Sequence, residues 1–155
     1  MRYIPLLLAL FAGAAQATPV MEVSVVQGAS EPEKYRFDLN GKRHEIDLRE
    51  SHRYAAAFHD KASKKDICRD GQYHTGLLLT LRDVPDESSD ARAIEVIGQV
   101  STLKKSIPGE TYSCGQNTII DIGNSAFSDT ARVRPNRTKV MVIDNNWTVF
   151  VTVKE

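Results

Sequence analysis

The strongest constraint on the fold is a two-residue alternation of apolar and polar side chains that recurs along the chain. It runs through Met21 to Val26, Thr75 to Leu81 and Ala93 to Leu103, with Gly98 as a bulge or bend in the third segment. Successive side chains of a β-strand point to opposite faces, so this period predicts strands with one buried face.

The alternation is clearest at the end of the chain. Thr138 to Ile143 and Trp147 to Val153 flank the turn-forming run Asp144-Asn145-Asn146, which predicts a closing hairpin at 138–153. The residues predicted to share one face of its second strand are Trp147, Val149, Val151 and Val153.

A second hairpin is predicted at 33–48, around the dipeptide Asn40-Gly41. This dipeptide favours a two-residue turn because both turn positions need positive φ. The resulting register pairs three sets of opposite charges, Asp38 with Arg43, Arg36 with Glu45, and Lys34 with Asp47. The opposite, apolar face comprises Tyr35, Phe37, Leu39, Ile46 and Leu48.

These patterns predict an all-β or mainly β protein, an antiparallel sandwich in a single domain over 18–155. One short helix is a candidate at 51–65, where Ser51 could cap a run containing Tyr54 and Phe58. Tyr54, Ala56 and Phe58 also alternate as a strand would, so a short helix and an irregular crossover both stay open. A proline-containing polar stretch at Pro85 to Ser89 predicts a turn.

The first seventeen residues, MRYIPLLLALFAGAAQA, have a basic start, a short apolar run and an Ala-x-Ala end. This order is typical of a secretory signal peptide over 1–17, and it predicts a periplasmic or secreted protein with no integral membrane segment after cleavage. The 20 basic and 20 acidic residues balance, which argues against nucleic acid as a partner.

The two cysteines, Cys68 and Cys114, are predicted to form a disulfide, because an even pair in an oxidising compartment is more often bridged than free. In the chain-entropy model such a bridge stabilises the fold by about 4 kcal/mol. We expect it to join the segment after 51–65 to the sheet.

No arrangement of residues predicts catalysis or a cofactor, and no Gly-x-Ser-x-Gly motif is present. His44 is expected to pack beside Phe37. A metal site is the remaining alternative, with His52, His59 and His74 as its ligands if 51–60 is helical. The candidate binding residues are Trp147, either as an exposed aromatic or in the core, and Lys104, Lys105 and Tyr112 in a predicted loop.

A family resemblance covers 75–153. The series Thr75 to Leu81, Ile94 to Leu103, Lys139 to Val142 and Trp147 to Val151 is similar in order and apolar pattern to the later part of the β domain of bacterial secretins. Secretins are the outer-membrane pores of secretion and type IV pilus systems. The chain is too short to carry their periplasmic ring domains, so the resemblance implies a secretin-related or accessory envelope protein and not a pore by itself.

Three functions are therefore considered. The leading hypothesis is a non-enzymatic periplasmic protein that acts by protein–protein contact through an unpaired edge strand, as an accessory of a secretion or pilus assembly. The second is an inhibitor or immunity protein that blocks a toxin or hydrolase with the segment Lys104 to Tyr112. The third is a small metal-binding or hydrolytic protein that uses the three histidines.

Overall fold

The computed structural model describes residues 18–84 and 90–155. The predicted signal segment 1–17 and the turn predicted at 85–89 lie outside the described residues. Eight strands follow one another in the chain: β1 (Val20–Gln27), β2 (Glu33–Asp38), β3 (Arg43–Asp60), β4 (Lys65–Val84), β5 (Arg92–Tyr112), β6 (Gly115–Val133), β7 (Thr138–Ile143) and β8 (Trp147–Lys154).

The strands form two four-stranded antiparallel sheets, ordered β2-β1-β8-β7 and β3-β4-β5-β6. We call them sheet A and sheet B. The all-β sandwich predicted from the alternation is confirmed, because one face of each sheet is buried against the other. Among the largest fully buried side chains are Met21, Ile46, Leu77, Leu79, Leu81 and Ile94. Each contributes about 1.5–3 kcal/mol of hydrophobic stabilisation.

The closing hairpin is confirmed as β7 and β8. Asp144 and Asn145 both have positive φ in the turn between them, at 50° and 52°. Asn and Asp tolerate this conformation better than most residues do. The four β8 residues predicted to share a face, Trp147, Val149, Val151 and Val153, are all buried in the core.

The hairpin predicted at 33–48 is wrong, because β2 and β3 belong to different sheets. β2 pairs with β1, where Arg36 lies opposite Glu22, and β3 pairs with β4. Gly41 supplies the turn with φ of 73°, but the chain then crosses from one sheet to the other. The charge pattern predicted the wrong strand pairing, because an exposed charge can pair with a residue on another strand or on the same strand. Asp47, for example, forms an ion pair of 2.7 Å with Arg49 of the same strand.

The corner between β2 and β3 keeps one contact of the predicted hairpin. The rings of Phe37 and His44 stack with centroids 4.6 Å apart, and His44 Nε2 lies 3.2 Å from the backbone oxygen of Asp38. His44 is therefore a packing residue, as expected.

The candidate helix at 51–65 is wrong as well: the segment is the second half of β3, a turn, and the first residue of β4. Asp60 organises the turn by accepting hydrogen bonds from the backbone nitrogens of Ala62 and Ser63, at 3.1 and 3.2 Å. The alternation of Tyr54, Ala56 and Phe58 was the correct signal. Pairing with β4 outweighs the weak helix propensity of the alanine run.

Gly98 marks no bulge, because it pairs regularly with Leu79 and Phe127. The ring of Phe127 covers the place that a side chain at 98 would occupy. The irregular pairing of β5 with β6 lies further along, between Leu103 and Lys105 and between Pro108 and Thr111.

Sheet B splits beyond the sandwich. The pairing of β4 with β5 ends at Gly76 and Ser101, while β3–β4 and β5–β6 continue as two separate ribbons. We call these ribbons, residues 50–75 and 102–124, the arm. Its ten steps from Glu50 to Asp60 span roughly 33 Å at the usual rise of a strand. None of the residues that form the hydrophobic core cluster belongs to the arm.

Gly76 lies at the point where the ribbons separate. Its φ is +119°, and a Cβ added there would be 2.3 Å from the backbone oxygen of Leu48. Only glycine combines this backbone conformation with so close an approach. The chain can therefore leave the sandwich and continue into the arm at this position.

Candidate functional site

The two ribbons of the arm are joined at their tips. Cys68 of β4 and Cys114, in the turn between β5 and β6, form the predicted disulfide, with their Cα atoms 6.0 Å apart. The bridge links one ribbon to the other, however, and not a crossover to the sheet. The two ribbons also share a further contact, in which the backbone nitrogen of Ala57 on β3 donates a hydrogen bond of 3.1 Å to Asn117 Oδ1 on β6.

A carboxylate strengthens the same junction. Asp66 accepts hydrogen bonds from the backbone nitrogen and the hydroxyl of Ser113, and from His59 Nδ1 at 2.8 Å. These hydrogen bonds stabilise the ionised form of Asp66 and lower its pKa to about 2. The hydrogen bond from His59 makes the largest contribution.

Apolar side chains are exposed along the arm. Phe58 and Ile67 lie opposite each other on β3 and β4 and are 39% and 37% exposed. Leu103 and Ile119 are exposed on the other ribbon. The guanidinium of Arg69 lies 5.4 Å from the centroid of the Phe58 ring, a cation–π contact.

The three candidate metal ligands do not converge. His52 lies opposite Tyr73, while His74 lies opposite Ser51, so these two histidines point to opposite faces of the ribbon. His59 is eight strand positions beyond Ser51, roughly 26 Å away. Within residues 18–84 and 90–155, no group of three His, Cys, Asp or Glu side chains could hold a metal ion.

Two of these histidines, His52 and His59, have local partners. His52 stacks on the ring of Tyr73 with centroids 4.9 Å apart, and its Nε2 lies 2.8 Å from the hydroxyl of Thr75. His59 binds Asp66, as described above. The helical spacing that motivated the metal site disappears because the segment is a strand.

The candidate binding residues lie apart from one another. Trp147 is only 4% exposed and packs in the core, so it is not an exposed binding aromatic. Lys104 and Lys105 belong to β5, not to a loop, and Lys105 lies opposite Asp121. The Tyr112 hydroxyl donates a hydrogen bond of 2.7 Å to Glu110 near the arm tip.

A different surface is formed by β7, the edge strand of sheet A. β7 pairs with β8, and over the described ranges no further strand pairs along its other side. Val140 and Val142 point away from the core and are 49% and 67% exposed. Lys139 lies opposite buried Val151, so it projects on the core side at the rim of the sandwich, where it is exposed.

Four basic residues surround a shallow cleft where β6 ends and β7 begins. The cleft has a volume of about 220 Å³ and is lined by Arg132, Val133, Arg134, Arg137, Thr138 and Lys139. This site was not predicted from the sequence, although the run RVRPNRTK contains four cations and no acid. A net charge of zero does not report such a local cluster of cations.

Comparison with protein-family models, with curated proteins and with solved structures finds no match for this chain. The resemblance of 75–153 to secretins therefore stays an expectation from the sequence. Across the described ranges, the structure contains no helix with the length and apolar character needed to cross a membrane.

Proposed function

We propose that this is a non-enzymatic envelope protein that acts by protein–protein contact, with β7 as its docking strand. The observation that carries the proposal is the open edge of β7 with two exposed valines, Val140 and Val142, on its outer face. An extended segment of a partner could add to this edge through backbone hydrogen bonds and cover both valines.

The other three sheet edges are less suited to docking, because charged or polar side chains occupy their outward rows near the sandwich. Charges at an edge discourage pairing with another chain. The outward residues are Lys34, Arg36 and Asp38 on β2; Glu45, Asp47 and Arg49 on β3; and Ser128, Thr130 and Arg132 on β6. In contrast, the outward row of β7 contains the exposed valines Val140 and Val142.

The proposed location is the periplasm or the outside of the cell. Two features support it: the signal-like segment 1–17 and the Cys68–Cys114 disulfide, which persists in oxidising compartments. Within the envelope, the similarity of 75–153 to secretins supports a role as an accessory of a secretion or pilus assembly.

The test is affinity capture of the tagged mature protein from its own cell envelope, followed by mass spectrometry. The variant Val140→Lys/Val142→Lys should lose the partner, because two charges would be placed where apolar contact is needed. Ile97→Lys is the matched control, since Ile97 is an exposed aliphatic residue on sheet B. Capture of secretion or pilus components that depends on the valines supports the proposal, whereas equal capture by all three proteins contradicts it.

A second candidate function is inhibition of a toxin or hydrolase by the arm. The specific observation in its favour is that the arm tip is fastened by both a disulfide and the Asp66–Ser113 contact, as a rigid inhibitory element would be. Preorganisation of this kind reduces the entropy lost on binding. Capture of one toxin or hydrolase, lost in Cys68→Ser and kept in Val140→Lys/Val142→Lys, would favour this function over edge docking.

A further inference from the structure

We propose that the strand docking on β7 carries acidic residues at the end beside the cationic cleft of residues 132–139 and aliphatic residues along the rest of its length, and that its carboxylates bind at the cleft. This inference rests on the proposed function, because it specifies the partner of the same edge. It begins from the continuity of the two features: Thr138 and Lys139 line the cleft and also open β7.

The two faces of β7 present different side chains to a partner strand. Lys139 lies on the core side of sheet A, while Val140 and Val142 lie on the outer side. Residues directly opposite in neighbouring strands have Cβ atoms about 4.5–5.5 Å apart, so each partner residue faces one of these side chains. The core-side row continues with Met141 and Ile143, which are apolar, so a partner strand needs an acidic residue beside Lys139 and aliphatic residues along the rest of β7.

The side chains that line the cleft are cationic or uncharged. Its lining contains Arg132, Arg134, Arg137 and Lys139 and no carboxylate. Asp90 lies 3.4 Å from Arg134 in an exposed ion pair, whereas no ion pair within the described ranges involves Arg137 or Lys139, so these two cations leave a local excess of positive charge. Guanidinium groups bind carboxylates through paired hydrogen bonds, so this excess favours an acidic partner.

The backbone that carries these cations is already ordered. The nitrogen of Arg137 donates to the oxygen of Arg134 at 3.1 Å, which closes a turn. The nitrogen of Asn136 donates to the oxygen of Val153 at 2.7 Å, which fastens the turn to β8. The partner would therefore meet cations on a backbone that needs no ordering, which lowers the entropic cost of binding.

The test is selection of binders from a random dodecapeptide library against the mature protein, with the binding surface located by amide chemical shifts in NMR spectra. We expect selected peptides that carry Asp or Glu at one end and aliphatic residues along the rest, and that shift the amides of β7. The variant Arg137→Gln/Lys139→Gln should weaken their binding about tenfold, because two exposed charge pairs are lost. The control Lys34→Gln/Arg36→Gln removes the same charge from β2, the opposite edge of sheet A, and should leave Kd unchanged.

Several outcomes would overturn the inference. Peptides that shift β7 amides without an acidic excess, and bind both variants equally, would refute the acidic partner but leave edge docking intact. Peptides that shift only residues outside β7 would refute the docking strand as well. Concentration-dependent β7 shifts without peptide would make a second copy of the chain the occupant, and binding of inorganic phosphate as tight as that of peptide would make the cleft an anion site.

Discussion

The Asp66 carboxylate accepts two hydrogen bonds from Ser113, at 2.8 Å from its backbone nitrogen and 2.7 Å from its hydroxyl, although 47 residues separate them. Asp66 belongs to β4 and Ser113 to the turn between β5 and β6, so the contact joins the tips of both ribbons. A third donor is His59 Nδ1, in a state that carries its proton on that nitrogen. Protonation of Asp66 at low pH should therefore weaken the hydrogen bonds that join the ribbons at the arm tip.

The first prediction concerns this pH dependence. The pKa of Asp66 is about 2 in the folded protein, against about 3.9 in an unfolded chain. A lowered folded pKa stabilises the protein fully above the unfolded value, and this stabilisation is lost as the pH falls through the folded value. Urea unfolding between about pH 5 and 2 should therefore depend less on pH in Asp66→Asn than in the wild type.

Titration of the Asp66 carboxyl by ¹³C NMR measures the pKa directly. His59→Ala should raise the pKa towards its ordinary value, because His59 makes the largest contribution to the shift. His74→Ala is the matched control on the same ribbon and should have no effect. A wild-type carboxyl that titrates near 3.9 would contradict the hydrogen-bond network.

The second prediction concerns the disulfide. The bridge spans 46 residues of sequence, so Cys68→Ser/Cys114→Ser should lower the free energy of unfolding by about 4 kcal/mol. Strand content in circular dichroism should persist, because the core cluster contains no arm residue. Urea unfolding of the wild type with and without a reducing agent is the companion measurement. Identical stability of the oxidised wild type and the double serine variant would refute a stabilising bridge.

The sequence predicted strands better than it predicted their partners. Alternation depends only on which residues meet the core, and it correctly located β8 and the closing hairpin. Pairing depends on distant residues, so the local signal at Asn40-Gly41 could not show that β1 pairs with β2 instead. A split in sheet B is also invisible in a pattern that reports one strand at a time.

The candidate sites show the same difference between what a local pattern predicts and what depends on distant residues. Cys68 and Cys114 could be paired because no other cysteine competes. His52 and His59 would share a face under a helical spacing, whereas a separation of seven residues places them on opposite faces of a strand. The cationic run at 132–139 was readable as charge, but its closeness to an open edge required the sheet order.

The third prediction concerns the branch point of the arm. Gly76→Ala should destabilise the protein by about 3 kcal/mol, because it combines an unfavourable φ with a contact of 2.3 Å to the backbone of Leu48. Gly41→Ala is the matched control: its φ is also positive, at +73°, but no atom lies within 4 Å of the added Cβ. It should cost about 1 kcal/mol. Equal losses in thermal unfolding would show that crowding at Gly76 is unimportant.

The last prediction concerns the hydrogen bond that Ala57 and Asn117 form between the ribbons. The backbone nitrogen of Ala57, itself a buried residue, donates to Asn117 Oδ1 at 3.1 Å, and these residues lie on different ribbons. Asn117→Ala would leave that donor without its partner, which costs about 1–3 kcal/mol. Asn117→Asp keeps an acceptor oxygen and should retain most of the stability. Hydrogen exchange at the Ala57 amide distinguishes the variants, because the alanine variant should exchange fastest. Equal exchange in the wild type and Asn117→Ala would mean that the Asn117 contact does not help to hold the ribbons together.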